Sequence, residues 1–171
     1  MPDPGSPARV EGHPIHAMLV PFPIAFFVAT LLCDMAFWRT GNAGWVLGSV
    51  WLLSAGLVMA GLAAATGVMD VVGEPRFRAL REAWWHAGGN LLVVLVEFVN
   101  LVHRVDDGAA AILPSGTILS AAAVALLMVT GWMGRQMVYG HHGGVSDVPG
   151  PAEHVCLPPA VNDPAEPSWR A

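Results

Sequence analysis

Histidines gather at the ends of the apolar stretches of this sequence, where their rings could bind a metal centre. His13 and His16 stand at the start of the first apolar stretch, His86 opens the third, and His141 and His142 follow the fourth. Imidazole nitrogen is the commonest protein ligand for metal ions and also ligates haem iron. If these ends meet on one side of a membrane, three separate chain segments bring ligands to one level.

The first hypothesis is an electron carrier that binds b-type haem. Two of His16, His86 and His141 would ligate the iron, and Arg81 and Arg135 would pair with the haem propionates. The chain has no C-x-x-C-H motif, so no covalent haem attachment is expected.

Two other hypotheses explain the same residues. In the second hypothesis a single transition-metal ion is bound without porphyrin. Asp70 would add a hard oxygen ligand to the histidine nitrogens. The ligand set would be His13, His16, Asp70, His86 and His141, with His142 as an alternative to His141. Alternatively, the chain is a non-catalytic accessory subunit of a larger respiratory or photosynthetic membrane complex, or forms a homo-oligomer, and its histidines bind only neighbouring groups. No phosphate-binding glycine loop or nucleophile motif indicates an enzyme.

Composition indicates a lipid environment. Hydrophobic residues make up 54% of the 171 positions and charged residues only 12%, against about a quarter charged in soluble domains. The mean hydropathy is +0.54. A net charge of -5, with no lysine, excludes a basic surface for nucleic acid. Cys33 and Cys156 have neither the number nor the spacing of a disulfide framework.

Four stretches reach the roughly 20 apolar residues that a helix needs to cross a bilayer. They are Ile15–Trp38, Gly44–Met69, Trp84–His103 and Ser115–Tyr139. Short connections between the first and second, and between the third and fourth, favour antiparallel neighbours. The sequence therefore predicts an all-α, antiparallel four-helix transmembrane bundle. The amphipathic segment "DVVGEPRFRALREAWW" predicts a short interfacial helix between helices two and three.

The predicted transmembrane domain covers residues 13–145. Residues 1–12 and the proline-rich tail 146–171 lack periodicity and are expected to be disordered. Four crossings put both termini on one side, with six of the eight arginines: Arg9, Arg76, Arg78, Arg81, Arg135 and Arg170. By the positive-inside rule that side is cytoplasmic.

Polar residues form a stripe along helix three. At 100° per residue, one face carries His86, Asn90, Glu97, Asn100 and Arg104. A carboxylate near the bilayer midplane must be protonated or partnered, so this face is expected to meet the bundle interior, a cavity or another subunit. It either passes protons between Glu97 and His86 or forms interhelical hydrogen bonds, for example with Thr130. Asp34 is expected to reach the membrane surface and is given little weight.

Two prolines follow the first histidines. Pro21 and Pro23 lack the N–H that would bond a carbonyl one turn earlier. The freed carbonyls, or the bend they permit, are expected to orient His16 or make room for a flat cofactor.

Several of these segments occur together in a known family. "HPIHAMLVPFPIA" in helix one, the aspartate closing helix two, "HAGGN" opening helix three and "GWMGRQMVYGHHGGV" ending helix four resemble the bacterial membrane family DUF2231. The likeness runs from His13 to Val145 and implies a four-helix integral domain of the bacterial inner membrane. It does not imply any particular activity. The matching positions are His13, His16, Asp70, His86, Asn90, Tyr139 and His141; Ala17 and the doubled His141–His142 depart from the pattern.

Overall fold

The chain folds into long helices. The computed structural model describes residues 9–10, 13–73 and 80–140, with side chains from 15–73 and 80–134. The helices are α1 Ile15–Leu19, α2 Pro21–Thr40, α3 Ala43–Gly73, α4 Arg81–Asp107 and α5 Thr117–Gly140. A two-residue antiparallel pair, β1 Arg9–Val10 with β2 His13–Pro14, precedes them. The expected all-α class is confirmed.

Three stretches are long and apolar enough to cross a membrane: Ile15–Thr40, Ala43–Gly73 and Arg81–Gly134. The third contains both α4 and most of α5, which are separated by a 3-10 turn at Gly108–Ala111 and a wide turn at Ile112–Gly116. Leu113 has extended dihedral angles inside this connection. The count of four crossings stays a prediction, as does the interfacial helix, because residues 74–79 lie outside the described residues.

The two prolines interrupt the first long helix at Val20. Val20 keeps helical dihedral angles and donates its N–H to the His16 carbonyl, while Pro21 and Pro23 occupy the first turn of α2. A proline in this turn withdraws no donor that the new helix needs. The chain therefore passes from α1 to α2 with a gap in the hydrogen-bond ladder and no change in backbone conformation.

The helices pack as two hairpins. Hairpin one consists of α1 to α3, and hairpin two of α4 and α5. Both α2 and α4 contact α3 and α5, so α2 and α4 lie diagonally across the bundle. The apolar core contains Phe27, Leu53, Ala60, Val93 and Ala123. Large apolar side chains on the outer faces are exposed, as lipid contact requires.

Buried positions repeat between the hairpins. The buried residues of α2 are Pro23, Phe27, Thr30 and Asp34; those of α4 are Val93, Glu97, Asn100 and Arg104, each 70 positions later. In α3, Ser49, Leu53, Gly56 and Ala63 are buried, and so are Gly116, Ser120, Ala123 and Thr130, each 67 positions later. Two units with the same buried pattern and the same neighbours are the arrangement expected around an approximate two-fold axis.

Candidate functional site

His16 is held against the backbone of α3. Its Nδ1 lies 2.8 Å from the carbonyl oxygen of Ala63, and because a carbonyl only accepts, Nδ1 carries the proton. The ring rests on Gly67, where an added Cβ would lie 3.0 Å from the ring atoms Cε1 and Nδ1. Glycine is therefore needed for this close approach.

His86 repeats this arrangement in hairpin two. Its Nδ1 lies 2.9 Å from the carbonyl oxygen of Thr130, and its ring rests on Gly134, where a Cβ would lie 2.9 Å from Cε1. Gly67 and Gly134 each stand four residues after the accepting carbonyl. In the neutral form of either ring the lone pair then belongs to Nε2. A hydrogen bond from the other ring nitrogen to a carbonyl is a usual support of a metal-ligating histidine.

The two Nε2 atoms differ in their neighbours. The Asn90 side-chain amide nitrogen lies 3.2 Å from Nε2 of His86 and 2.8 Å from the His86 carbonyl oxygen. The Thr130 hydroxyl is 3.4 Å from the Asn90 side-chain oxygen, so the expected link between the polar stripe and Thr130 is present. No described residue hydrogen-bonds to Nε2 of His16.

The paired histidines share one end of the bundle: His16 lies against the C-terminal part of α3, and His86 lies in the N-terminal part of α4. His103 is at the other end of α4, with Nε2 at 2.8 Å from the Ser115 hydroxyl and Nδ1 at 3.0 Å from an Asp107 carboxylate oxygen. Both of its nitrogens are engaged locally. Ala63, rather than a carbonyl freed by a proline, orients His16.

The remaining predicted site residues are less defined. Arg81 is exposed at the first position of α4, and Asp70 is half-buried in the last turn of α3. The side chains of His13, Arg135 and His141 lie outside the described residues. Within the described part of the chain, no three His, Cys, Asp or Glu residues group as metal ligands. His16 and His86 are the two predicted site residues for which the structure shows matched support.

A buried ion pair joins the hairpins in the other half of the bundle. The Arg104 guanidinium binds both carboxylate oxygens of Asp34, with Nη2 at 2.7 Å from Oδ2. Nη2 and Nε of Arg104 also donate to Ser120 and Asn100, at 2.9 Å each, and the Ser120 hydroxyl donates to Asp34. The expectation that Asp34 reaches the membrane surface is wrong: its side chain is 0% exposed, because Arg104 meets it inside the bundle.

Glu97 extends this network to the middle of α4. Its Oε2 accepts a hydrogen bond of 2.8 Å from Asn100, which also donates to Ser120. Val93, which is buried and apolar, lies on the helix between Glu97 and Asn90. The hydrogen bond from Asn100 to Glu97 therefore leads away from His86, and no chain of hydrogen bonds among the described side chains joins Glu97 to His86 as the proton-transfer hypothesis required.

The family model described as "Predicted membrane protein (DUF2231)" matches residues 12–147. The chain belongs to the DUF2231 family. This result confirms the resemblance seen in the sequence and an integral membrane protein. No curated protein and no solved structure matches the chain.

The repeat within this DUF2231 chain was missed by the sequence analysis. His16 is followed by Ala17 and, 18 positions on, by Asp34; His86 is followed by Ala87 and, 18 positions on, by Arg104. This spacing was available in the sequence. The carbonyl partners had no such signal, because every residue has a carbonyl group.

Proposed function

We propose that this DUF2231 protein is a four-pass membrane electron carrier that binds b-type haem between His16 and His86. The observation that supports the proposal is the matched support of the two rings. Each donates Nδ1–H to a main-chain carbonyl and lies against a glycine. Two imidazoles held alike at one end of the bundle, each with Nε2 as its remaining ring nitrogen, would be able to hold a b-type haem.

The number of ligands favours haem over a bare metal ion. A porphyrin supplies four nitrogens, so iron needs only two more from the protein. A protein-bound zinc ion usually takes three or four side-chain ligands, and the described residues contain no such group of three. A non-haem site would have to recruit side chains outside the described ranges.

Two neighbouring residues fit the proposal. Asn90 bonds the His86 carbonyl at 2.8 Å and Nε2 only at 3.2 Å, so its amide keeps a partner when iron takes Nε2. Arg81 is exposed at the histidine end of α4, where its guanidinium is available to a propionate.

The proposed topology has four crossings of the bacterial inner membrane and cytoplasmic termini. The reversal between α4 and α5 supports two crossings within the long third stretch. Arg104 is buried in its ion pair with Asp34, so it does not count as a loop charge. Arg39 then stands alone against six arginines on the side of the termini, which strengthens the positive-inside argument.

Absorption spectroscopy tests the haem proposal. The protein is expressed with added haem precursor and purified in detergent, and a reduced-minus-oxidised spectrum is recorded. We expect the bands of a six-coordinate b-type haem, which His16→Ala and His86→Ala each abolish. His103→Ala is the matched control and should leave the spectrum unchanged.

Two results would overturn the proposal. One is folded protein that contains no haem although haem is supplied; its co-purification with a defined respiratory or photosynthetic complex would instead support an accessory subunit. The other is a haem spectrum that responds equally to all three histidine changes, because the rings of His16 and His86 would then have no special role.

A further inference from the structure

Glu97 occupies a place that packing could fill with an apolar group. Its counterpart in hairpin one is Phe27, whose ring lies so close to Gly56 that a Cβ there would be 2.6 Å from Cε1. Both side chains are buried, at 0% exposure for Glu97 and 1% for Phe27. The fold therefore does not require an acid at this level, and the carboxyl group needs another explanation.

The charges around Glu97 are already balanced without it. Arg104 directs its hydrogen bonds to Asp34, Asn100 and Ser120 rather than to Glu97. Asp34 and Arg104 are the other charged side chains among the described buried residues. Among the described buried residues, α3 and α5 contribute no charged side chain. An ionised Glu97 would thus leave one uncompensated negative charge inside the bundle.

The two oxygens of Glu97 have different surroundings. Oε2 accepts the Asn100 amide at 2.8 Å, whereas Oε1 is buried and has no hydrogen-bond partner among the described residues. A carboxylate in hydrocarbon without a cation or a set of donors is strongly disfavoured. A proton on Oε1 removes the charge and leaves the bond to Asn100 intact.

We propose that Glu97 is a proton-binding site in the membrane interior, with a proton on Oε1 at neutral pH beside the neutralised pair of Asp34 and Arg104. The ligand is the proton itself. The inference does not depend on haem.

Infrared spectroscopy of the detergent-purified protein at neutral pH tests this site. We expect the carbonyl stretch of a neutral carboxylic acid, shifted in D₂O and shifted again by ¹³C-labelled glutamate but not by ¹³C-labelled aspartate. Glu97→Gln should abolish the band, since the amide keeps an acceptor for Asn100 while losing the acid. Glu82→Gln, in the first turn of α4, is the matched control and should leave it.

The isotope-labelling experiment still tests the proposal if a variant fails to fold, because it uses the protein with its sequence unchanged. Absence of a neutral-acid band, a band that follows labelled aspartate, or a band that persists in folded Glu97→Gln would each overturn the inference. Spectra taken with and without haem separate this result from the proposed function: the band should be present in both.

Discussion

The two hairpins share one packing arrangement but bury different side chains in it. At the histidine end they agree, because both fix an imidazole through a carbonyl and a glycine four residues later. In the interior they diverge: α2 buries Phe27 and Thr30 where α4 buries Glu97 and Asn100. The common part consists of a main-chain oxygen and a glycine beside each ring, and the different part is side-chain chemistry.

One of the differences between the hairpins is a pair of residues in direct contact. Asp34 and Arg104 are equivalent positions of the repeat, yet they carry opposite charges and pair across the bundle. Two residues of like charge at these positions would repel each other. The opposite charges at these equivalent positions therefore allow the two hairpins to pair. Changing them is the most direct way to test the comparison.

We expect the largest effect from Arg104→Leu. The change leaves Asp34 buried without its cation and removes donors to Asn100 and Ser120, which should cost about 3–5 kcal/mol of unfolding free energy. The measurement is reversible unfolding in mixed detergent micelles, followed by circular dichroism. The control is Asp34→Leu with Arg104→Leu, which should recover much of the loss because no charge remains unpaired. A double variant as unstable as the single one would contradict the assigned pairing.

Much of this framework could be predicted from the sequence. The helices begin and end close to the predicted bounds, because length and apolar composition are local properties. The common helical face of Glu97, Asn100 and Arg104 predicted the bundle interior, a cavity or another subunit, and the structure places all three residues in the interior. Asp34 was misjudged, since a single acid near the end of an apolar stretch does not reveal a long guanidinium arriving from another helix.

The histidine site could be predicted only in part. Residue type indicated His16 and His86, whereas Ala63 and Thr130 act through main-chain oxygens, which leave no trace in residue type. Gly67 and Gly134 matter only because a ring lies on them, and this follows from packing. The remaining two predictions therefore address what the sequence could not supply.

Gly134→Ala and Gly67→Ala should each destabilise the protein by about 1–3 kcal/mol. The new Cβ would lie 2.9 Å from Cε1 of His86, or 3.0 Å from Cε1 and Nδ1 of His16, so the ring must move and its bond to the carbonyl weakens. Gly131→Ala and Gly61→Ala are matched controls with open space around the new atom.

The glycine controls should be stabilised by up to about 1 kcal/mol, the ordinary helix preference for alanine. All four variants are compared in the same detergent unfolding assay. If Gly134→Ala behaved like Gly131→Ala, the close support of the His86 ring would be refuted, and similar behaviour of Gly67→Ala and Gly61→Ala would refute it for His16.

The smallest expected effect concerns a polar residue beside His86 that has no polar counterpart beside His16. Position 90 holds asparagine, whereas its counterpart 70 residues earlier is Val20. Asn90→Val should cost about 0.6 kcal/mol, the average for an interhelical hydrogen bond in a membrane bundle, because the 3.4 Å contact with Thr130 is long. Thr130→Val, made in the unchanged protein and in Asn90→Val, measures the coupling energy between these two side chains. This energy should be smaller still, because the Thr130 hydroxyl also donates to the Leu127 carbonyl and keeps that bond when Asn90 is replaced. A loss of several kcal/mol would mean that Asn90, rather than the carbonyl of Thr130, holds His86 in place, and the two histidines would then no longer be supported alike.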